Sequence, residues 1–359
     1  MSTLKENTNH EDYWERLKKS YLKKGLVLAF GTGISRGCDI PTWDSLLRKL
    51  SKITFPTGTG ETLYELLKKD GYTFPAIASI IETQNRDLFA KALKEQLYED
   101  FKHKGGFKRG TNEEPRLKKE FVRYVWENNK TLAAVAGLCV TTDHEAGYLP
   151  NPRIRAIVNF NYDSIFRSYV RYRYGKKLIR SIERPSAGSI YGRIPVYYMH
   201  GFIRFDRDNN HYDSDENDLQ HNAPDLRILT EQEYFDFYSN PNGMFTYTFL
   251  YLLRESPCLF IGLSMKDDNI RRLLHYSKIE REKGYIQEGR SEEAEEESIR
   301  HYAMLQKPGN ETLAELTEKS LLRLGVMVLW LESFDEIPER LGGIYDGNDF
   351  KWHDIFKYP

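Results

Sequence analysis

The chain alternates between short apolar runs and longer stretches with helical spacing. Leu26–Phe30 is an uninterrupted apolar run, and similar runs recur at residues 154–160, 194–199, 258–261 and 326–331. Such runs suit strands buried on both faces, as in a parallel sheet. Helical patterns stand between most of them. Residues 9–24 form the first and close at Gly25, a residue type that ends helices readily. Residues 163–174 follow the second run and residues 265–281 the fourth, while Asn310 is placed to cap a helix that closes at Gly325. Strands separated by helices predict an α/β fold with a doubly wound, mostly parallel Rossmann-like sheet.

Residues 42–150 break this rhythm. Segments 43–53, 61–69, 87–104 and 117–140 have helical spacing and no clear strand. The expected organisation is a core formed by residues 1–41 and 151–359, with a helical lobe inserted over 42–150. Residues 206–224, rich in Asp and Asn, read as a surface loop, and Thr230-Glu231-Gln232-Glu233 is a capping-box pattern that starts a helix. Residues 291–297 carry five glutamates in seven positions and read as a solvated helix face or flexible loop.

Length and composition narrow the picture. The 359 residues exceed the roughly 250–300 at which a single core stops growing, in keeping with a large domain plus a lobe. Lys+Arg is 52 and Asp+Glu is 53, a net charge of −1, which disfavours a wholly basic nucleic-acid binder. Six basic residues lie between Arg167 and Arg180, and a solvated face is the better reading for most of them. The three cysteines, Cys38, Cys139 and Cys258, are far apart; they exclude a disulfide scaffold and leave no cysteine-rich zinc module or other metal site in view. The first 15 residues lack an apolar signal core, and no apolar run approaches the about 18 residues of a membrane span. A cytoplasmic protein is expected.

Four motifs carry candidate chemistry, each at the carboxyl end of an expected strand, where ligands of open α/β sheets bind. Gly31-Thr32-Gly33-Ile34-Ser35 follows the first strand. Its glycines would let backbone N–H groups approach a phosphate; an ordinary βα turn fits them equally well. Asn159-Phe160-Asn161-Tyr162-Asp163 ends the second run. There Asn161 is placed to orient a ribose or a water, and Asp163 either orients the site or caps the next helix. His200-Gly201 ends the run at 194–199 and presents a general base near neutral pH, although lone histidines beside strands are commonly structural. Gly262-Leu263-Ser264 ends the fourth run, with Asp267 or Asp268 as the cap of the following helix.

In this order the four motifs resemble those of the Sir2 family, and specifically its bacterial NAD-consuming branch. The family's Gly-Ala-Gly-Ile-Ser loop is similar to residues 31–35, and its Gly-Ile-Pro segment to Asp39-Ile40-Pro41. Trp43 and Leu46-Leu47 follow in the pattern usual for the branch. The Asn-x-Asp strand end corresponds to Asn161-Tyr162-Asp163, the His-Gly pair to His200-Gly201, and the late Gly-x-Ser turn to Gly262-Leu263-Ser264. The resemblance spans about residues 25–280. Thr32 replaces the family's Ala, Phe160 stands where deacylating sirtuins carry Gln, and the four-cysteine zinc module is missing.

The resemblance implies that NAD is the substrate and that the chain is an NAD+ hydrolase of antiphage defence, which would deplete NAD in the infected cell. It assigns Asn161 to the water or ribose hydroxyls, His200 to general base, and Asp163 to a lesser orienting role. Gly31, Thr32, Gly33, Ile34 and Ser35 would cradle the pyrophosphate; Gly262 and Ser264 would sit against the adenosine ribose. It further implies a homo-oligomer controlled by a separate protein such as a HerA-type ATPase, with no membrane or sequence-specific nucleic acid as partner. After Ile337 too little chain remains for a sensor domain, and Phe350, Trp352, Phe356 and Tyr358 offer an assembly patch. The alternatives are a non-catalytic nucleotide sensor and an NAD-dependent protein deacylase.

Overall fold

A computed structural model describes residues 10–105, 114–143, 147–183, 188–205, 228–239 and 243–345. The loop expected at 206–224 and the C-terminal aromatics Phe350, Trp352, Phe356 and Tyr358 lie outside these residues.

Helix α1 (His10–Lys24) leads through Gly25, in the left-handed region at φ 72°, into β1 (Leu26–Phe30). Six helices follow: α2 (Trp43–Thr54), α3 (Gly60–Lys69), α4 (Phe74–Gln84), α5 (Arg86–Gly105), α6 (Glu114–Asn128) and α7 (Lys130–Leu138). A hairpin, β2 (Val140–Asp143) with β3 (Gly147–Pro150), ends this helical stretch. Then come β4 (Ile154–Asn159), α8 (Ile165–Tyr174), β5 (Ile179–Ile182), β6 (Ile194–Tyr198), α9 (Glu231–Ser239), α10 (Met244–Glu255) and β7 (Cys258–Ile261). The chain continues through α11 (Asp268–Gln287), α12 (Ala294–Ser298), β8 (His301–Gln306), α13 (Glu311–Leu322), β9 (Val326–Leu331) and α14 (Ile337–Ile344).

Seven strands form one sheet in the order β5-β6-β4-β1-β7-β8-β9, every neighbouring pair parallel. The sheet is the doubly wound α/β architecture read from the sequence. Alternation along β1 shows why its run is apolar throughout. Leu26, Leu28 and Phe30 join a core shared with α1, α2, α5, α7, α8 and α14. Val27 and Ala29 face the other way, into a core with α10 and α11. Both faces are covered, so no position of the strand meets water.

Helices α2 to α7 share their core with one face of the sheet: Leu46, Tyr64 and Phe101 belong to the same apolar cluster as Leu28 and Phe30. Three details depart from the sequence reading. The stretch expected to hold no strand carries the β2–β3 hairpin. The helix expected over 117–140 breaks at Asn129, whose side chain accepts the Leu132 N–H at 3.0 Å and so caps a new helix. Strands β5 and β8 carry no clear apolar run, because Arg180 and Ser181 interrupt one, and His301 and Gln306 bound the other.

Candidate active site

The sheet order reverses at β1: the next strand of the sheet, β4, lies on one side of it, and β7 on the other. The crevice beyond the carboxyl ends of such strands is where open α/β sheets take ligands. All four sequence motifs emerge there, since each follows β1, β4, β6 or β7 directly.

The loops after β1 and β7 pack backbone against backbone. The Gly31 N–H donates to the Ile261 carbonyl at 3.1 Å, and the Gly33 N–H to the Gly262 carbonyl at 3.1 Å. A Cβ on Gly31 would stand 2.4 Å from the Gly262 oxygen, and one on Gly33 2.7 Å from the Gly262 Cα. Gly262 has φ +70°, and a Cβ there would lie 2.6 Å from the Ile34 nitrogen. The three glycines are thus required by their mutual contact. The Ile34 and Ser35 N–H groups also donate internally, to the Gly31 and Thr32 carbonyls at 3.1 and 3.2 Å. By contrast, among the described residues the N–H groups of Leu263, Ser264, Met265 and Lys266 have no protein acceptor. Met265 itself sits at φ 57°, a left-handed conformation that costs a bulky residue energy and concentrates at functional sites.

Asn161 ties the β4 loop to the β1 loop. Its side-chain N–H₂ donates to the Gly31 carbonyl at 3.0 Å and lies 3.4 Å from the Ser35 hydroxyl. Its backbone N–H donates to the Asn159 side-chain oxygen at 2.9 Å. The residue is 2% exposed, and its Oδ1 has no hydrogen-bond partner. A buried acceptor left unpaired costs about 1–3 kcal/mol, and this oxygen is open to a donor.

Asp163 is also buried. Its Oδ1 accepts the Ser35 hydroxyl at 3.1 Å and the Ile165 N–H at 3.0 Å. The second bond satisfies the first N–H of α8, whose N-cap position is Ser164, and the first ties Asp163 to the Gly31–Ser35 turn. Burial pushes its carboxyl up to about 6, against the opposing pull of these hydrogen bonds.

His200 is 9% exposed. Its ring sits among aromatics: Phe160 at 5.4 Å edge-on, Tyr162 at 6.1 Å and Tyr234 at 5.6 Å between centroids. Burial lowers its pKa, opposed by the negative charge of Asp267 and a hydrogen bond with the Phe160 backbone. The imidazole is therefore neutral at pH 7, the form a base needs. Phe160 and Tyr162, the chain neighbours of Asn161, both pack against the His200 ring. Asp267 is the N-cap of α11, its carboxylate accepting the Ile270 N–H at 2.9 Å; of the two caps considered, the structure selects this one. Ser264 is exposed.

Two contributors were not read from the sequence. Tyr234 lies on α9, whose start the capping box at 230–233 did announce; the Glu233 carboxylate accepts the Leu229 and Thr230 N–H groups, both at 2.8 Å. Ile228 spans from the His200 carbonyl to the Tyr162 hydroxyl, donating to the first at 2.8 Å and accepting from the second. No local pattern announces such a contact between distant segments.

Among the described residues no group of three or more His, Cys, Asp or Glu is placed to hold a metal ion. The three cysteines are free and buried, and burial raises each thiol's pKa, which keeps it protonated. No helix among them is long and apolar enough to cross a membrane.

Residues 155–324 match the family of SIR2-like domains. The match covers just under half of the chain, and it supports a Sir2-like family and an NAD-related function in general. It includes Asn161, Asp163, His200, Gly262 and Ser264, and it begins after the Gly31–Ser35 loop. No curated protein matches the chain.

Proposed function

We propose that the chain is an NAD+ glycohydrolase that cleaves the nicotinamide–ribose bond to give nicotinamide and ADP-ribose. The observation that carries this reading is the buried, unpaired Oδ1 of Asn161, fixed in direction by the bond from Nδ2 to Gly31. An acceptor there suits a ribose hydroxyl or the attacking water. Neutral His200 takes the proton from that hydroxyl or water. Nicotinamide leaves as a neutral molecule, so no strong acid is required opposite it. Asp163 acts through Ser35 and holds the Gly31–Ser35 turn against Asn161.

The two glycine loops bind the ADP part. Thr32 and the Gly31–Ser35 turn border the pyrophosphate. The unbonded N–H groups after Gly262 supply donors to it, and Ser264, at the exposed edge, meets the adenosine ribose. The biological setting we propose is NAD depletion in antiphage defence, in a homo-oligomer governed by a separate regulator such as a HerA-type ATPase. A cytoplasmic location fits that role.

The test is to incubate the purified chain with NAD+, alone and with candidate partners, and to identify products by mass. Nicotinamide with ADP-ribose supports the reading. Intact NAD+ under every condition, with binding retained, turns it into a nucleotide sensor; activity on acylated peptides turns it into a deacylase.

A further inference from the structure

Two buried polar side chains of the helical segment bond directly to backbone of the site loops. Tyr98, on α5, is fully buried. Its hydroxyl accepts the Ser164 N–H at 2.8 Å and donates to the Ile203 carbonyl. Ser164 follows Asp163 in the β4 loop, and Ile203 lies three residues after His200 in the β6 loop. These loops run side by side beyond their strands: the Ile203 N–H donates to the Tyr162 carbonyl at 2.7 Å, and Asp163 pairs with Ile203 in an isolated bridge. Tyr98 therefore supplies the next rung, where the strand ladder has ended.

Asn129, at the α6–α7 junction, is 5% exposed. Its Oδ1 caps α7, and its Nδ2 donates to the Ile34 carbonyl at 2.8 Å, with the Cys38 sulfur at 3.4 Å. The fit is close: a Cβ on Gly37 would lie 2.7 Å from the Asn128 carbonyl. The turn that carries Ile34 and Ser35 is seated on this junction.

We infer that Tyr98 and Asn129 are positioning residues through which the helical insertion sets the spacing of the three site loops. Tyr98 fixes the β4 loop against the His200 loop, the side where bond cleavage occurs. Asn129 fixes the Gly31–Ser35 turn, the side that borders the phosphates. The inference rests on the NAD reading above for its kinetic consequences, though not for its structural ones. Misplacement of reacting groups by about 1 Å can cost on the order of 10²-fold in rate, so two hydrogen bonds to backbone are enough to matter.

The test uses Tyr98→Phe, which removes only a hydroxyl, and Asn129→Ser, which keeps a capping oxygen but is too short to reach Ile34. For Tyr98→Phe, kcat for NAD+ falls about tenfold or more with KM unchanged. For Asn129→Ser, KM rises about three- to tenfold, the value of one net hydrogen bond, with kcat unchanged. Loss of folded protein lowers apparent kcat alone, so kcat is taken per folded molecule, with the folded fraction of each variant measured by its denaturant transition. Hydrogen exchange supplies the second readout: the Ser164 amide is protected in the parent and exchanges faster in Tyr98→Phe. Unchanged kinetics and unchanged exchange overturn the inference, as does one common loss of kcat in both variants. If the parent turns over no NAD+, the NAD reading fails, and Ser164 exchange alone decides the positioning: faster exchange in Tyr98→Phe supports it, equal exchange overturns it.

Discussion

The side-chain amide of Asn161 donates to the carbonyl of Gly31 at 3.0 Å, and that bond leaves Oδ1 buried without a partner. The carbonyl can accept only from the N–H₂ end, so the amide cannot flip without losing the bond. Asn161→Ala removes the bond to Gly31, the longer one to Ser35 and one orphan acceptor together. Its stability is expected to stay within about 1 kcal/mol of the parent, while nicotinamide release is lost. Thermal melts beside a chromatographic nicotinamide assay check both halves.

The contact between the two glycine loops makes a steric prediction. Gly31→Ala, Gly33→Ala and Gly262→Ala each force a Cβ to within 2.4–2.7 Å of backbone atoms of the facing loop. Each is expected to lose about 2 kcal/mol or more, since backbone must move. Gly284 lies within α11 with open space around its Cβ position. Gly284→Ala is expected to gain about 0.5–1 kcal/mol from helix propensity alone. Denaturant midpoints for the four variants separate close packing from glycine content.

Asp163 gives a prediction with a definite sign. Its folded value, about 6, lies above the ordinary 3.8 of the unfolded chain. Folding therefore favours the protonated carboxyl: that contribution is complete below pH 3.8 and is lost as pH rises through about 6. Asp163→Asn keeps an oxygen for Ser35 and Ile165 and carries no charge. At pH 8 it is expected to be more stable than the parent by up to about 3 kcal/mol, and the gain shrinks toward zero at pH 4. Urea unfolding of both proteins at the two pH values measures the difference.

Much of this site was legible in the sequence because its signals are local. Apolar runs located β1, β4, β6, β7 and β9, and the polar or glycine residues directly after the first four are the ones at the crevice. Capping chemistry is local too, so Asn310 and the Thr230–Glu233 box announce their helices from sequence alone. The rest is non-local. Nothing in the sequence tells that Gly31 and Gly262, over 200 positions apart, need each other's missing side chains. Nor does it tell that Tyr98 reaches Ser164 and Ile203. The Gly31–Ser35 loop read as a phosphate cradle, yet four of its N–H groups are bonded within the protein, because β1 and β7 are neighbours, a fact of topology rather than of the motif.

The most direct measurement is nicotinamide and ADP-ribose production, quantified by mass, from NAD+ with the parent chain and with His200→Ala under the condition that gives the parent its highest activity. The account predicts equal amounts of the two products from the parent, and a rate lower by ~10²–10⁴-fold, the usual contribution of a general base, for a folded His200→Ala. Parent-like product formation by His200→Ala, or no nicotinamide from the parent under any condition, would contradict it.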